Sequence, residues 1–178
     1  VVALNLPTNI IGDTNRIKNI NLSPDSFMQM ALQLAFARDQ PNDPVPATYE
    51  TGMTRNFLHG RTETIRTQSI SSKYFATSFD NPNIPASKKY EAVMKAAEYH
   101  RLYTKRAVSG KGVDRHFLGL RMLAAENKIT SPALFSGEAY GKSTNYTLST
   151  SQMPWGTPDH PGFCAPSDGA YGVCYRFV

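Results

Sequence analysis

Cysteine is scarce: Cys164 and Cys174 are the only two in 178 residues. Two thiols make neither a disulfide framework nor a zinc site, so a reducing compartment is the expected setting. Long apolar runs are missing too, and nothing approaches the roughly 18 unbroken apolar residues of a membrane-spanning helix. There is no glycine-rich phosphate loop, no dinucleotide fingerprint and no Gly-x-Ser-x-Gly elbow, which removes the motif-based routes to nucleotide binding and serine hydrolysis. Histidine is limited to His59, His100, His116 and His160. With no His-Glu-x-x-His and no cysteine–histidine cluster among them, no metal is expected, and each reads as structural. The bases are scattered and the aromatics show no base-reading pattern, which argues against nucleic acid. An initiator Met and a leader pattern are also lacking. The chain opens on Val1-Val2-Ala3-Leu4-Asn5-Leu6, which reads like an interior strand, and it stops inside the strand-like run over residues 172–178. The expectation is a piece of a longer protein.

What is present suits one globular domain, 40% hydrophobic and 19% charged. Nineteen Lys and Arg against 14 Asp and Glu leave a net charge of +5. That balance favours anionic partners such as phosphates, carboxylates or an acidic membrane face. Ser23-Pro24-Asp25 is a helix start: a capping hydroxyl, a proline suited to the first turn, and an acid at the positive end of the dipole. Phe27, Met30, Ala31 and Leu34 then recur at helical spacing, widened by Leu32, Ala35 and Phe36, so this helix should bury an apolar face. Pro41, Pro44 and Pro46 end it. Short extended segments follow over residues 47–51 and 62–67, joined by a turn at His59-Gly60. Residues 78–87 read as a surface loop. A long helix is expected over residues 87–108, with Tyr90, Val93, Met94 and Ala97 on one face and glycines at its end. Another starts at Asp114 and should bury Phe117, Leu118, Leu120, Met122 and Leu123. After a loop through Ser131-Pro132 and Gly137, residues 145–152 alternate as a strand with Thr147, Ser149 and Ser151 on one face.

Three features point to chemistry. Residues 47–66 interleave Tyr and Thr hydroxyls with Glu50, Glu63, Arg55, Arg61 and Arg66, which suits either a grip on a small oxygen-rich anion or an exposed hairpin. Arg115, in the first turn of a helix, opposes the local dipole, so a carboxylate or phosphate should meet it. Ser149-Thr150-Ser151 can donate to an oxyanion or simply face water.

Leu22-Ser23-Pro24-Asp25, Ala47-Thr48-Tyr49-Glu50, Gly60-Arg61-Thr62-Glu63-Thr64-Ile65-Arg66, Asp114-Arg115-His116-Phe117-Leu118-Gly119-Leu120, Ser149-Thr150-Ser151 and Asp168-Gly169 occur in an order that resembles the choline/carnitine O-acyltransferase family. The runs around residues 59–64 and 148–151 look closest to its branch in the mitochondrial inner membrane, the carnitine palmitoyltransferases. The resemblance implies an α/β fold like that of coenzyme-A-dependent, chloramphenicol acetyltransferase-like domains, with a mixed sheet and packed helices. All 178 residues would form the C-terminal, substrate-binding part of such an enzyme. It implies reversible acyl transfer between acyl-CoA, as co-substrate, and the hydroxyl of carnitine, with no tightly bound cofactor. Tyr49, Thr51 and Thr62 match positions at the carnitine carboxylate, and Arg115 matches the arginine that pairs with it. Choline-specific relatives lack this Arg and Thr. Ser151 matches the hydroxyl that steadies the oxyanion, and Lys18, Asp25, Arg101 and Gln152 match positions that contact coenzyme A.

Departures accompany the likeness. The family's general base lies in a His-x-x-x-Asp motif that no histidine here matches, so the N-terminal half of the same protein should supply it. This chain alone should then be inactive. Thr14 stands where a lysine is expected, Pro41 to Pro46 replace a shorter connection, and Pro161-Gly162 fall near the residue that limits acyl length. A non-catalytic carnitine- or coenzyme-A-binding module and a choline acetyltransferase-like enzyme are the alternatives. The branch implies the matrix side of the mitochondrial inner membrane, with the peroxisome and peripheral membrane association as further settings.

Overall fold

The computed structural model describes residues 14–153 and 162–177, so the strand expected over residues 1–6, His160 and Pro161 lie outside it. A short helix α1 (Thr14–Asn19) leads into α2 (Pro24–Asp39). The start of α2 follows its sequence signals: Ser23 Oγ accepts from Ser26 N at 3.5 Å, Pro24 sits in the first turn and Asp25 beside it. Strands β1 (Thr48–Met53) and β2 (Thr62–Ile65) form an antiparallel hairpin. Its loop passes through His59 at φ 58° and then Gly60, where a Cβ would lie 2.0 Å from Thr54 O.

Helix α3 (Ile70–Ser78) was not legible in the sequence. It starts with a reciprocal serine box, Ser69 N donating to Ser72 Oγ at 2.7 Å and Ser72 N donating to Ser69 Oγ at 3.1 Å. Serine stands where the usual signature carries Glu or Gln, which hides it. Helix α4 (Ala86–Arg106) then runs into one π-helical turn (Ala107–Lys111) that closes at Gly110, φ 74°. Helix α5 (Asp114–Glu126) follows. In place of the loop expected beyond Ser131 there are two short helices, α6 (Ala133–Ser136) and α7 (Glu138–Thr144). Strands β3 (Leu148–Gln152) and β4 (Tyr171–Tyr175) complete a four-stranded sheet of order β2-β1-β3-β4. β3 is parallel to both β1 and β4, so the sheet is mixed, as expected.

The apolar core lies among helices. Ile17, Leu22, Met30, Phe75, Ala76 and Ala96 join α1, α2, α3 and α4 into one block. Where that block meets the sheet the contacts turn polar, and this changes the expected faces. The buried stripe of α2 is Ser26, Gln29, Met30, Gln33 and Phe36, while Ala31 and Ala35 are exposed. Gln29 is buried because its amide donates to Thr150 Oγ1 and to Tyr175 Oη in the sheet. On α4 the buried residues are Ala92, Ala96, Ala97 and His100, and Tyr90 is exposed, because small side chains let this helix approach its neighbours closely.

Helix α5 contradicts its sequence more sharply. It buries no residue, and Leu118, Leu120, Met122 and Leu123 are exposed. Apolar periodicity reports a face that wants a partner, and among the described residues this face has little beyond Phe117 with Phe135 and Tyr140. Asp114 does not cap α5 with its side chain either, since the position before the helix is Val113 without a side-chain cap. Its carboxylate is taken by Arg66.

Register sorts the sheet into two faces. Tyr49 pairs with Ser149, and Ser149 with Gly172, so Tyr49, Thr51, Ser149 and Ser151 share one side, together with Thr62 of β2. Glu50, Thr150 and Tyr175 occupy the other side, against α2 and α4.

Candidate functional site

Arg115 organises the hydroxyl face. From the first turn of α5 its side chain reaches back over β2 and β1. Nε donates to Thr62 O at 2.8 Å, and Nη2 donates to Thr62 Oγ1 at 3.0 Å and to Tyr49 Oη at 2.9 Å. Tyr49 is steadied edge-on by Tyr146, ring centroids 5.3 Å apart. Among the described residues no carboxylate forms an ion pair with this guanidinium. A cation and two hydroxyls thus converge with donors and no anion to receive them. Thr51 shares the face of Tyr49 but contributes no bond to the arginine. Ser151 lies further along β3, opposite Cys174 and half-buried.

Two residues that the sequence showed only as charges of the 47–66 run, with no role of their own, hold Arg115 in place. Arg66 grips Asp114 through two bonds, Nε to Oδ2 at 3.0 Å and Nη2 to Oδ1 at 2.6 Å, and donates from Nη1 to Ser143 O at 2.7 Å. Burial opposes the charge on Arg66, yet the Asp114 bonds raise its pKa, so it stays a cation. Glu63, buried on β2, accepts from Thr64 N at 2.7 Å and from the backbone N–H of Arg115 at 3.3 and 3.4 Å. The run of Thr, Glu and Arg over residues 62–66 was the available signal, but partners about 50 residues away are not readable from it.

On the opposite face the titratable groups are tied to one another. His100 Nε2 lies 2.7 Å from Glu50 Oε2, Thr67 Oγ1 donates to that same oxygen at 2.5 Å, and His100 Nδ1 lies 2.9 Å from Ser26 Oγ. Tyr175 Oη donates to Asp25 Oδ1 at 2.5 Å. For His100, burial lowers the pKa, but the bond and charge of Glu50 with the charge of Asp25 outweigh it, and the net shift is upward. Burial, then the charge of Glu50, raises Asp25. Ligand-capable atoms of Asp25, Glu50 and His100 all lie within 4.8 Å of one another, the one such group among the described residues. Since both ring nitrogens of His100 already meet protein partners, the group is accounted for as a hydrogen-bonded network. His100 is on the side of the sheet away from Ser151, while His59 and His116 are exposed.

Near the start of α2 a cavity of about 480 Å³ is lined by Thr14, Lys18, Asp25 and Gln152 among others. Three of the four residues singled out for coenzyme A therefore meet at one opening, with Thr14 beside them. Arg101 is not among its walls. It borders a separate cleft of about 50 Å³ that shares Ser23 with the cavity, and its guanidinium is bound to Glu98 at 2.7 Å. No helix among the described residues is long and apolar enough to cross a membrane.

Residues 9–178 match the family described as Choline/Carnitine o-acyltransferase. Carnitine O-acetyltransferase of Rattus norvegicus is 40% identical over 159 residues, which is 89% of this chain and 25% of the relative. Peroxisomal carnitine O-octanoyltransferase of Homo sapiens is 39% identical over 137 residues, 75% of this chain and 22% of the relative. Mitochondrial carnitine O-palmitoyltransferase 2 of Homo sapiens is 36% identical over 166 residues, 92% of this chain and 25% of the relative. The chain thus spans about a quarter of the length of the curated relatives it matches. Relatives named for acetyl, octanoyl and palmitoyl transfer fall within a few percent of one another, so similarity does not sort this chain by acyl length. The match takes in the Arg115 cluster, Ser151 and the cavity at α2 alike: the chain belongs to the choline/carnitine O-acyltransferase family.

Proposed function

We propose that the protein carrying this chain is a carnitine O-acyltransferase, moving an acyl group reversibly between acyl-CoA and the carnitine hydroxyl. The observation that carries this is Arg115, held by Tyr49 and Thr62 with no carboxylate paired to it among the described residues. A small carboxylate is the ligand such a fork of donors accepts, and carnitine offers one where choline does not. Thr51, on the same face, adds a hydroxyl at the rim.

The remaining assignments rest on the likeness to the family together with placement. Ser151 donates to the oxyanion that forms when the carnitine oxygen attacks the thioester carbonyl; collapse of that intermediate breaks the carbon–sulfur bond, leaving the acyl group on carnitine and releasing coenzyme A as its thiolate. A general base outside these 178 residues takes the hydroxyl proton. His100 is not that base, because it faces the other side of the sheet and is bonded to Glu50. Lys18, Asp25 and Gln152 border the cavity that takes part of coenzyme A, with Arg101 beside it. The fold is then that of the coenzyme-A-dependent acyltransferases, and carnitine relatives named for mitochondrion and peroxisome set the compartments to examine.

Arg115→Asn in the intact protein tests the assignment. The arginine's charged hydrogen bonds to a carboxylate contribute about 1.5–3 kcal/mol, so the carnitine KM should rise roughly 10- to 150-fold while the acyl-CoA KM holds. Free-thiol release with carnitine as variable substrate measures both. Unchanged carnitine kinetics in the variant would overturn the carboxylate assignment.

A further inference from the structure

We propose that Glu63 is a positioning residue for this carboxylate site, acting through the backbone of Arg115 rather than on the substrate; the inference rests on the carnitine reading above. Helix α5 starts at Asp114 with Val113 before it and no side-chain cap, so its first N–H groups lack a local acceptor. Glu63 supplies one from across the fold. Its carboxylate takes the Arg115 N–H, and Oε1 also takes Thr64 N at 2.7 Å, which fixes the carboxylate to the strand that carries it. The helix start is thereby referenced to β2, the same strand whose Thr62 receives the Arg115 side chain.

Gly112 is what lets the carboxylate in. A Cβ there would lie 2.4 Å from Glu63 Cγ and 2.6 Å from Cδ and Oε2. Glu63 is itself buried, with its carboxylate tied to two backbone donors, so making room for a methyl group would pull it off those donors. Its negative charge also sits at the positive end of α5, which offsets the cost of placing Arg115 in the same turn. Because Glu63 meets the backbone of Arg115 and not its guanidinium, the cation is steadied without being neutralised.

The test uses the intact protein and four forms: wild type, Glu63→Ala, Glu63→Gln and Gly112→Ala. Glu63→Ala should raise the carnitine KM about tenfold, with kcat and the acyl-CoA KM within about twofold, the signature of lost ground-state positioning. Glu63→Gln keeps an amide oxygen to accept the same N–H groups and should restore the carnitine KM to within about threefold of wild type. Gly112→Ala, which displaces the carboxylate without deleting it, should reproduce the rise. It carries the test alone if Glu63→Ala fails to fold. An unchanged carnitine KM in both Glu63→Ala and Gly112→Ala, or a parallel loss in kcat and both KM values, overturns the proposal. Wild type that does not acylate carnitine at all would instead overturn the functional reading on which it stands.

Discussion

The two faces of one small sheet use the same strands and nearly the same residue types to opposite ends. Beneath it, buried Glu50, Thr67, His100 and Ser26 find one another, with half-buried Asp25 and Tyr175 bonded beside them. Above it, Tyr49 and Thr62 flank a cation that meets no carboxylate among the described residues, with Thr51 and Ser151 on the same face. Adjacent residues fall on opposite sides: Tyr49 belongs to the upper set and Glu50 to the lower. A closed polar network holds elements together, because every charge it buries is compensated from within the fold. An arrangement with donors to spare is built for something else to complete. A histidine beside a carboxylate looks like catalysis, yet both ring nitrogens of His100 are already bonded within the fold, and it is the incomplete cluster at Arg115 on which the proposed function rests.

The largest effect expected from breaking this contrast is on the lower face. His100→Ala removes one partner of a buried pair and leaves Glu50 uncompensated, which should cost about 3–5 kcal/mol of stability. Thermal or denaturant unfolding measures it. The pH dependence has a definite sign. The folded pKa of His100 lies above its ordinary value of 6.5, so the stability it lends is fully present below that pH. It is lost as pH rises through the folded pKa. The raised pKa of Asp25 acts in the same direction, since the folded state favours its protonated form and that preference fades with rising pH. The thermal midpoint should therefore fall on the alkaline side, and His100→Gln should flatten that fall. A wild-type midpoint that climbs steadily from pH 6.5 upward would refute the assignment.

These networks explain how much could be read in advance. The start of α2 and the strands β1, β2 and β3 were legible because their causes are local: a capping serine, a proline, alternation over a few residues. Arg115 was legible as an anomaly against its helix dipole. What failed was everything that depended on a distant partner. Gln29 and Gln33 line the buried face of α2 because the sheet offers hydroxyls to Gln29, and Leu118 and Met122 stay exposed because nothing described covers α5. Glu63 and Arg66 were visible as charges, but their roles lie in residues 114 and 115.

On the upper face the next largest effect belongs to Ser151. Removing one donor from an oxyanion site lowers kcat by about 10²- to 10³-fold. Ser151→Ala in the intact protein should do so with both KM values little changed and the unfolding midpoint intact. His100→Gln should show the reverse pattern, moving the midpoint with little change in kcat. A Ser151→Ala variant with wild-type kcat would remove this serine from the chemistry and leave β3 with a merely solvated hydroxyl row.

Thr51 gives the smallest expected effect and the finest test of where the site ends. It lies on the same face as Tyr49, two residues along β1, and opposite Thr64 in register. It makes no bond to Arg115, so its hydroxyl acts on the substrate if it acts at all. Thr51→Val keeps the shape and the strand propensity and deletes only the polar group. A net contribution of about 0.5–1 kcal/mol from one such hydrogen bond corresponds to a two- to fivefold rise in carnitine KM. Stability should not fall, because no buried partner is orphaned. If the carnitine KM is unmoved, the carboxylate is gripped by Tyr49, Thr62 and Arg115 alone, and the boundary between the satisfied and unsatisfied parts of the face runs between residues 49 and 51.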